Sequence, residues 1–145
     1  MNEAEILDFI GSYKWAVEAT VSTSLSPQAA IIGIAVTDQL ELVFDTLASS
    51  RKAINLQATP RMALVIGGWN EQDSRTLQYE GVADFPGGAE LERIKQVYFA
   101  TFTDGPTRLS WPGITYVRVK PTWIRYSDFR SVPSAIVESV FPMGR

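Results

Sequence analysis

The residues best suited to chemistry lie together in Phe44–Pro60, FDTLASSRKAINLQATP. Thr46, Ser49 and Ser50 bring hydroxyls, and Arg51 and Lys52 follow at once with two cations. Ser49 or Ser50 can cap a helix that runs through Ala53, Ile54, Leu56 and Gln57 and that Pro60 forbids from continuing. Arg51 and Lys52 then fall in the first helical turn, where the partial positive charge of the N-terminus ordinarily disfavours cations. Two cations, hydroxyls and free backbone N–H groups at one place form an anion site, most naturally for a phosphate. The alternative is a solvated basic pair on a surface helix.

Trp111 is a second candidate. It lies in Leu109–Gly113 (LSWPG), and an aromatic on a Pro/Gly loop can cover a flat ring. The alternative is a buried core tryptophan, and Trp15, Trp69 and Trp123 read as core or interface residues. Asp38, Glu41 and Asp45 read as hairpin charges, since nothing in the spacing sets two of them across a cleft. Gly67-Gly68 and Gly87-Gly88 lack the strand–GxGxxG–helix context and the lysine of a phosphate loop.

Missing residue types narrow the chemistry further. The chain has no cysteine and no histidine, so disulfides, thiolate and Ser-His-Asp catalysis, histidine–zinc sites and histidine-ligated haem are all excluded. Carboxylates, Lys, Arg, Tyr, hydroxyls or a bound cofactor must do the work. A net charge of −3 argues against nucleic acid as the main partner, because phosphate-backbone binding needs a basic face. There is no charged-then-apolar leader and no apolar run long enough to span a bilayer, so a cytoplasmic protein without membrane contact is expected. At 145 residues one domain with a substantial core is expected, the barrel taking about 15–127 and the tail 128–145 packing on it or on a partner.

The elements that position these residues follow from periodicity. Glu3–Ile10 reads as an amphipathic helix ended near Gly11. Trp15–Thr23 alternates, with Val17, Ala19 and Val21 on one face and Glu18, Thr20 and Ser22 on the other. Ala29–Val36 (AAIIGIAV) predicts a central strand buried on both sides, with Gly33 marking a bulge or a close approach by a ligand or another backbone. Thr37–Gln39 turns the chain into a strand over Leu40–Asp45 with Leu40, Leu42 and Phe44 inward. Arg61–Gly67 is another buried strand, and Gly68–Ser74 a polar loop. Arg75–Phe85 is a long strand with Leu77, Tyr79, Val82 and Phe85 inward and a phase change at Gly81. Glu90–Phe102 is a helix with Leu91, Ile94, Tyr98 and Phe102 in one stripe. Ile114–Arg118 and Trp123–Tyr126 form one last strand, bent or split at Lys120-Pro121. Six strands with inserted helices and short early turns favour a mainly β protein, a small antiparallel barrel with helices plugging its ends.

The order and wording of these segments resemble the pyridoxamine 5′-phosphate oxidase-like split barrels that bind FMN. The resemblance covers roughly Trp15 to Tyr126. Its most specific part is Phe44, Thr46, Ser50-Arg51-Lys52, Thr59-Pro60-Arg61 and the apolar Met62–Ile66. Further matches are Trp69 with Arg75–Gly81, the helix ending in Tyr98-Phe99, and the closing strand with Lys120-Pro121.

The resemblance implies a six-stranded antiparallel split β-barrel that forms a homodimer, with FMN at the interface. It implies that Ser50, Arg51 and Lys52 hold the FMN phosphate and that Thr46 reaches the ribityl chain or ring edge. Thr76 stands where the family often has a flavin-contacting glutamine. Gln28 stands where the family oxidase has a phosphate-binding arginine, and Gly33 where that oxidase has a substrate-binding lysine. With that lysine and the oxidase's late histidine both absent, an FMN-dependent oxidoreductase of unknown small substrate and electron donor fits better than vitamin B6 oxidation. A deazaflavin-dependent reductase and a flavin-binding protein without turnover are the alternatives. Haem fits poorly with the acidic balance and the lack of histidine.

Overall fold

Alternating small and β-branched residues build β1, Trp15–Val21, and the turn after it returns the chain antiparallel as β2, Pro27–Gly33. β3, Ala35–Val36, follows after Ile34 alone, and β4 spans Leu42–Leu47. Helix α2, Arg51–Ala58, leads to β5, Arg61–Gly67, and β6, Arg75–Asp84. Helix α3, Gly88–Thr101, and a short 3-10 turn, Gly105–Arg108, precede the long β7, Ile114–Asp128, and β8, Ala135–Val140. The N-terminal helix α1, Glu3–Gly11, opens with a capping box between Asn2 and Glu5. These elements are those of a computed structural model, which describes residues 1–142.

All strand pairs are antiparallel, in the order β2-β1-β5-β6-β7-β4-β3, with β8 added to β7. The two ends of that order, β2 and β3, are halves of one stretch of chain. The sheet therefore closes on itself through Ile34, which is buried and donates its N–H to Lys14 O at 2.9 Å. Counting β2 and β3 as one strand gives the six-stranded split barrel, with β8 as an addition from the tail.

The barrel interior is filled by Leu42, Phe44, Leu64, Ile66, Leu77, Tyr79, Val117 and Val119. Tyr79 hydroxyl donates into the cross-barrel pair of carbonyls Leu40 O and Val119 O, each at 2.9 Å, so its burial costs no hydrogen bond. Helix α1 plugs the barrel with Ile6, Phe9 and Ile10, and Phe9 meets Tyr126 edge-on at 5.2 Å. A second cluster, Ala35, Val43, Ile94, Tyr98 and Tyr116, fastens α3 to β3, β4 and β7.

Several expectations change. The alternation of β1 holds, and its polar face is the covered one: Glu18 and Thr20 point inward, under α2, and Val17 and Ala19 lie on the outer face. β2 is not buried on both sides, and Ile31 on it is 70% exposed. Gly33 makes room for a side chain, since a Cβ there would lie 2.7 Å from Phe102 Cζ. Leu40 is in the turn rather than the strand, with φ of 61°, yet remains buried. In β6 the inward residues are Leu77, Tyr79, Gly81 and Ala83, not Val82, and Phe85, one residue past the strand, packs against the core as expected. The irregularity does fall at Gly81, but β7 absorbs it. Glu80 pairs with Trp123 and Gly81 with Pro121, leaving Thr122 as the extra residue.

Candidate functional site

β4 carries Thr46 to its end, where it pairs with Thr115 of β7. Ser50, not Ser49, caps α2 from an extended conformation (φ −66°, ψ 153°). Its Oγ accepts from Ala53 N–H at 3.2 Å and from the Thr46 hydroxyl at 2.8 Å. With both acceptor positions used, the Ser50 hydroxyl hydrogen points elsewhere and is free to donate. Arg51 and Lys52 take the first two helical positions, whose backbone N–H groups have no intrahelical acceptor. Arg51 is exposed and Lys52 half-buried.

The helix sits across β1, and a chain of hydrogen bonds ties the two together. Asn55 Nδ2 donates to Thr20 Oγ1 at 3.0 Å, and the Thr20 hydroxyl donates to Gln28 Oε1 at 2.7 Å. Gln28 is thereby joined to the helix that carries Lys52. Beside this chain Glu18 is 0% exposed, and both its carboxylate oxygens are buried without a hydrogen bond. Burial raises its pKa, against the opposing pulls of the Gln28 side chain and the Lys52 charge.

Glu18, Thr20 and Asn55 were not legible as site residues. Their signal was spacing: Asn55 stands three residues after Lys52, on the helix face that also buries Leu56. A polar β1 face under such a helix is a covered polar layer rather than a solvated edge.

Trp111 is also drawn to this end of the molecule. Ala48 N–H donates to Gly113 O at 2.7 Å, so the Trp111 loop lies against the approach to α2. The ring is 51% exposed and is not a core residue. Thr76 is elsewhere. It pairs with Gly67 and Ser127, whereas Thr46 pairs with Thr115. Twelve positions of β7, with the bulge between them, separate the two along the strand. Within one chain the structure brings Thr46, Ser50, Arg51, Lys52, Gln28 and the Trp111 loop to one end and leaves Thr76 at the other.

Of the acids expected as hairpin charges, Asp38 lies in the exposed turn, while Asp45 and Glu41 are built into networks. Asp45 accepts from Tyr98 hydroxyl at 3.0 Å and from Arg108 Nε at 2.7 Å. Burial, with Asp45 alongside, pushes the Tyr98 hydroxyl well above its ordinary pKa, which keeps it a donor. Glu41 is buried against Arg93, at 2.9 Å, and Arg118, at 3.6 Å. A cleft of about 390 Å³ opens between the Asp38–Glu41 turn and the bulge, lined by Asp84, Lys120, Pro121 and Pro142 among others, and none of the expected site residues borders it.

The outer face over β2, β1 and β5 is apolar. Ile31, Val17 and Val65 form one cross-strand row, and Ala29, Ala19 and Ala63 the next. The second row continues through Glu80 and Trp123 to Val140, which is 78% exposed. No helix among the described residues is long and apolar enough to cross a membrane.

Comparison with known proteins gives the same architecture. The haem-binding protein of Mycobacterium smegmatis superposes with a TM-score of 0.82 at 15% identity, over 97% of this chain and 58% of its own. The chain thus spans little more than half of that neighbour. The conserved hypothetical protein Rv2991 of Mycobacterium tuberculosis matches with a TM-score of 0.76 at 27% identity, over 100% of this chain and 95% of its own. A pyridoxamine 5′-phosphate oxidase-related, FMN-binding protein of Nostoc punctiforme matches with a TM-score of 0.65 at 14% identity, over 96% and 94%. No curated protein matches the sequence. The model of the pyridoxamine 5′-phosphate oxidase family matches residues 3–128, most of the chain and all of the barrel from β1 to β7, and the chain belongs to that family.

Proposed function

We propose that this protein binds FMN with its phosphate at the start of α2 and serves as an FMN-dependent oxidoreductase for a small substrate. The observation that carries the reading is the capped helix start. There the Ser50 hydroxyl has a free hydrogen, two backbone N–H groups lack acceptors, and Lys52 and Arg51 supply charge. This donor set suits a phosphate ester. Gln28 adds a neutral amide held by Thr20, and Thr46 fixes the cap. Trp111 flanks the ring from its exposed loop. Bound flavin supplies the hydride transfer, and the chain supplies binding, orientation and exclusion of water.

The site is completed by a second copy of the chain. The apolar rows of Val17, Ala19, Ile31 and Val65 are the face it covers, and Thr76 reaches a flavin only from that copy. Pyridoxamine phosphate is not the proposed substrate, because Phe102 fills the space that a side chain at position 33 needs.

The test is FMN titration of the apo-protein by fluorescence quenching. A charge-assisted bond contributes roughly 1.5–3 kcal/mol, so Lys52→Ala is expected to weaken FMN about tenfold to a hundredfold with its circular dichroism unchanged. Equal dissociation constants for the two proteins would remove Lys52 from the site. Bleaching of bound flavin by a nicotinamide nucleotide separates an enzyme from a flavin-binding protein. A deazaflavin or a haem Soret band in the purified protein would replace FMN, although the chain offers iron neither histidine nor cysteine.

A further inference from the structure

Glu18 stands where an acid is unwelcome. β1 sets it between Ala30 of β2 and Leu64 of β5, two residues without polar side chains, and α2 closes over it. The polar side chains linked across β1, β2 and α2 here are Thr20, Gln28 and Asn55. Thr20 and Asn55 are bonded to each other, and Thr20 to Gln28. Both carboxylate oxygens remain without a hydrogen bond at 0% exposure. The cation whose field reaches it is Lys52, from α2. Arg51 stands beside Lys52 at the helix start, and β2 and β5 present no titratable group at the facing positions. No ion pair within 4 Å joins Lys52 to Glu18 among the described residues, so the ammonium acts through space and remains available to a ligand.

We propose that Glu18 couples anion binding at the start of α2 to the uptake of one proton. This rests on the anion-site reading above. Lys52 offsets the Glu18 carboxylate from one side and would meet a phosphate from the other. A bound dianion cancels that field and adds repulsion, and a proton taken from solvent onto a Glu18 oxygen restores the balance. The sign follows from linkage. The bound state holds the Glu18 proton to higher pH than the free state, so affinity rises as pH falls between the two values and is flat outside them. Glu18 thereby sets how binding depends on pH: a phosphate ester binds with a proton, and a neutral flavin binds without one.

The experiment is calorimetry of the apo-protein at pH 8, in two buffers of different ionisation heat, with FMN and with riboflavin as probes. At that pH the phosphate itself, with a second pKa of about 6, contributes almost no proton. The expected result is buffer-dependent heat for FMN, showing net proton uptake, and buffer-independent heat for riboflavin. Glu18→Gln is expected to abolish the uptake and to bind FMN about tenfold more tightly than the wild type at pH 8, the gap narrowing as pH falls. The wild-type comparison of the two probes stands even if that variant does not fold. FMN binding with buffer-independent heat overturns the coupling and leaves the anion site intact. Failure of FMN to bind at all removes both.

Discussion

The folded chain holds the Glu18 proton to higher pH than an unfolded chain does, because burial outweighs the help of Gln28 and Lys52. The stability Glu18 contributes is therefore complete below the ordinary carboxylate pKa and is lost as pH rises through the raised folded value. Glu18→Gln removes that dependence. It is expected to be more stable than the wild type at pH 8 by about 1–3 kcal/mol, the usual cost of an unsatisfied buried polar group, and of similar stability near pH 4. Urea unfolding at both pH values checks this, and a wild type as stable as the variant at pH 8 would contradict it. The capped start of α2 with its basic pair was legible because a cap, a basic pair and a closing proline are local signals. Glu18 was not, because its meaning comes from a helix that crosses β1 more than thirty residues later in sequence.

At the scale of elements, the β6–β7 pair shows what local pattern omits. A glycine in a strand announced an irregularity at position 81, but pairing decided which strand would carry the extra residue. Gly81 is needed for another reason as well: a Cβ there would lie 2.5 Å from Lys120 O and 2.7 Å from Val119 Cγ1. Backbone and a buried valine cannot yield as a flexible side chain can. Gly81→Ala is expected to cost about 1–3 kcal/mol, as overpacking does, seen as a lower urea midpoint with an unchanged slope. An unchanged midpoint would show that the bulge relaxes freely. The apolar run Ala29–Val36 was misread for a related cause. Apolarity on both faces reads as two covered surfaces, but one of these faces is exposed on the outside of this chain.

At the scale of the molecule, that outer surface carries a prediction about assembly. Ile31 and Val140 are too exposed for a face kept in water alone, and their cross-strand neighbours Val17, Val65 and Ala63 widen the apolar area. Light scattering at micromolar concentration is expected to show a dimer, and Ile31→Glu, on an edge strand outside the core, a folded monomer. A monomeric wild type would end the proposal of a shared site. The split barrel and its family were legible because strand order, helix insertions and the Phe44–Ile66 wording agree. The orientation of β1 was not, since alternation says which residues share a face but not which face is covered.

The closure of the barrel through Ile34 bears on how the chain folds in time. The β1–β2 hairpin joins near neighbours and can form within microseconds. The ring is complete only after β7 reaches β4, where Phe44 meets Val117, 73 residues apart by subtraction. Such long loops must be closed before their contacts stabilise anything, which puts barrels of this kind in the millisecond-to-second range. Refolding followed by tryptophan fluorescence is expected on that scale, and a microsecond relaxation would mean the circuit closes by another order. Cutting the chain between Gly33 and Ala35 should cost cooperativity as well as stability, since the link through Ile34 is what holds the two edge strands β2 and β3 together, and the freed edges could pair with other chains.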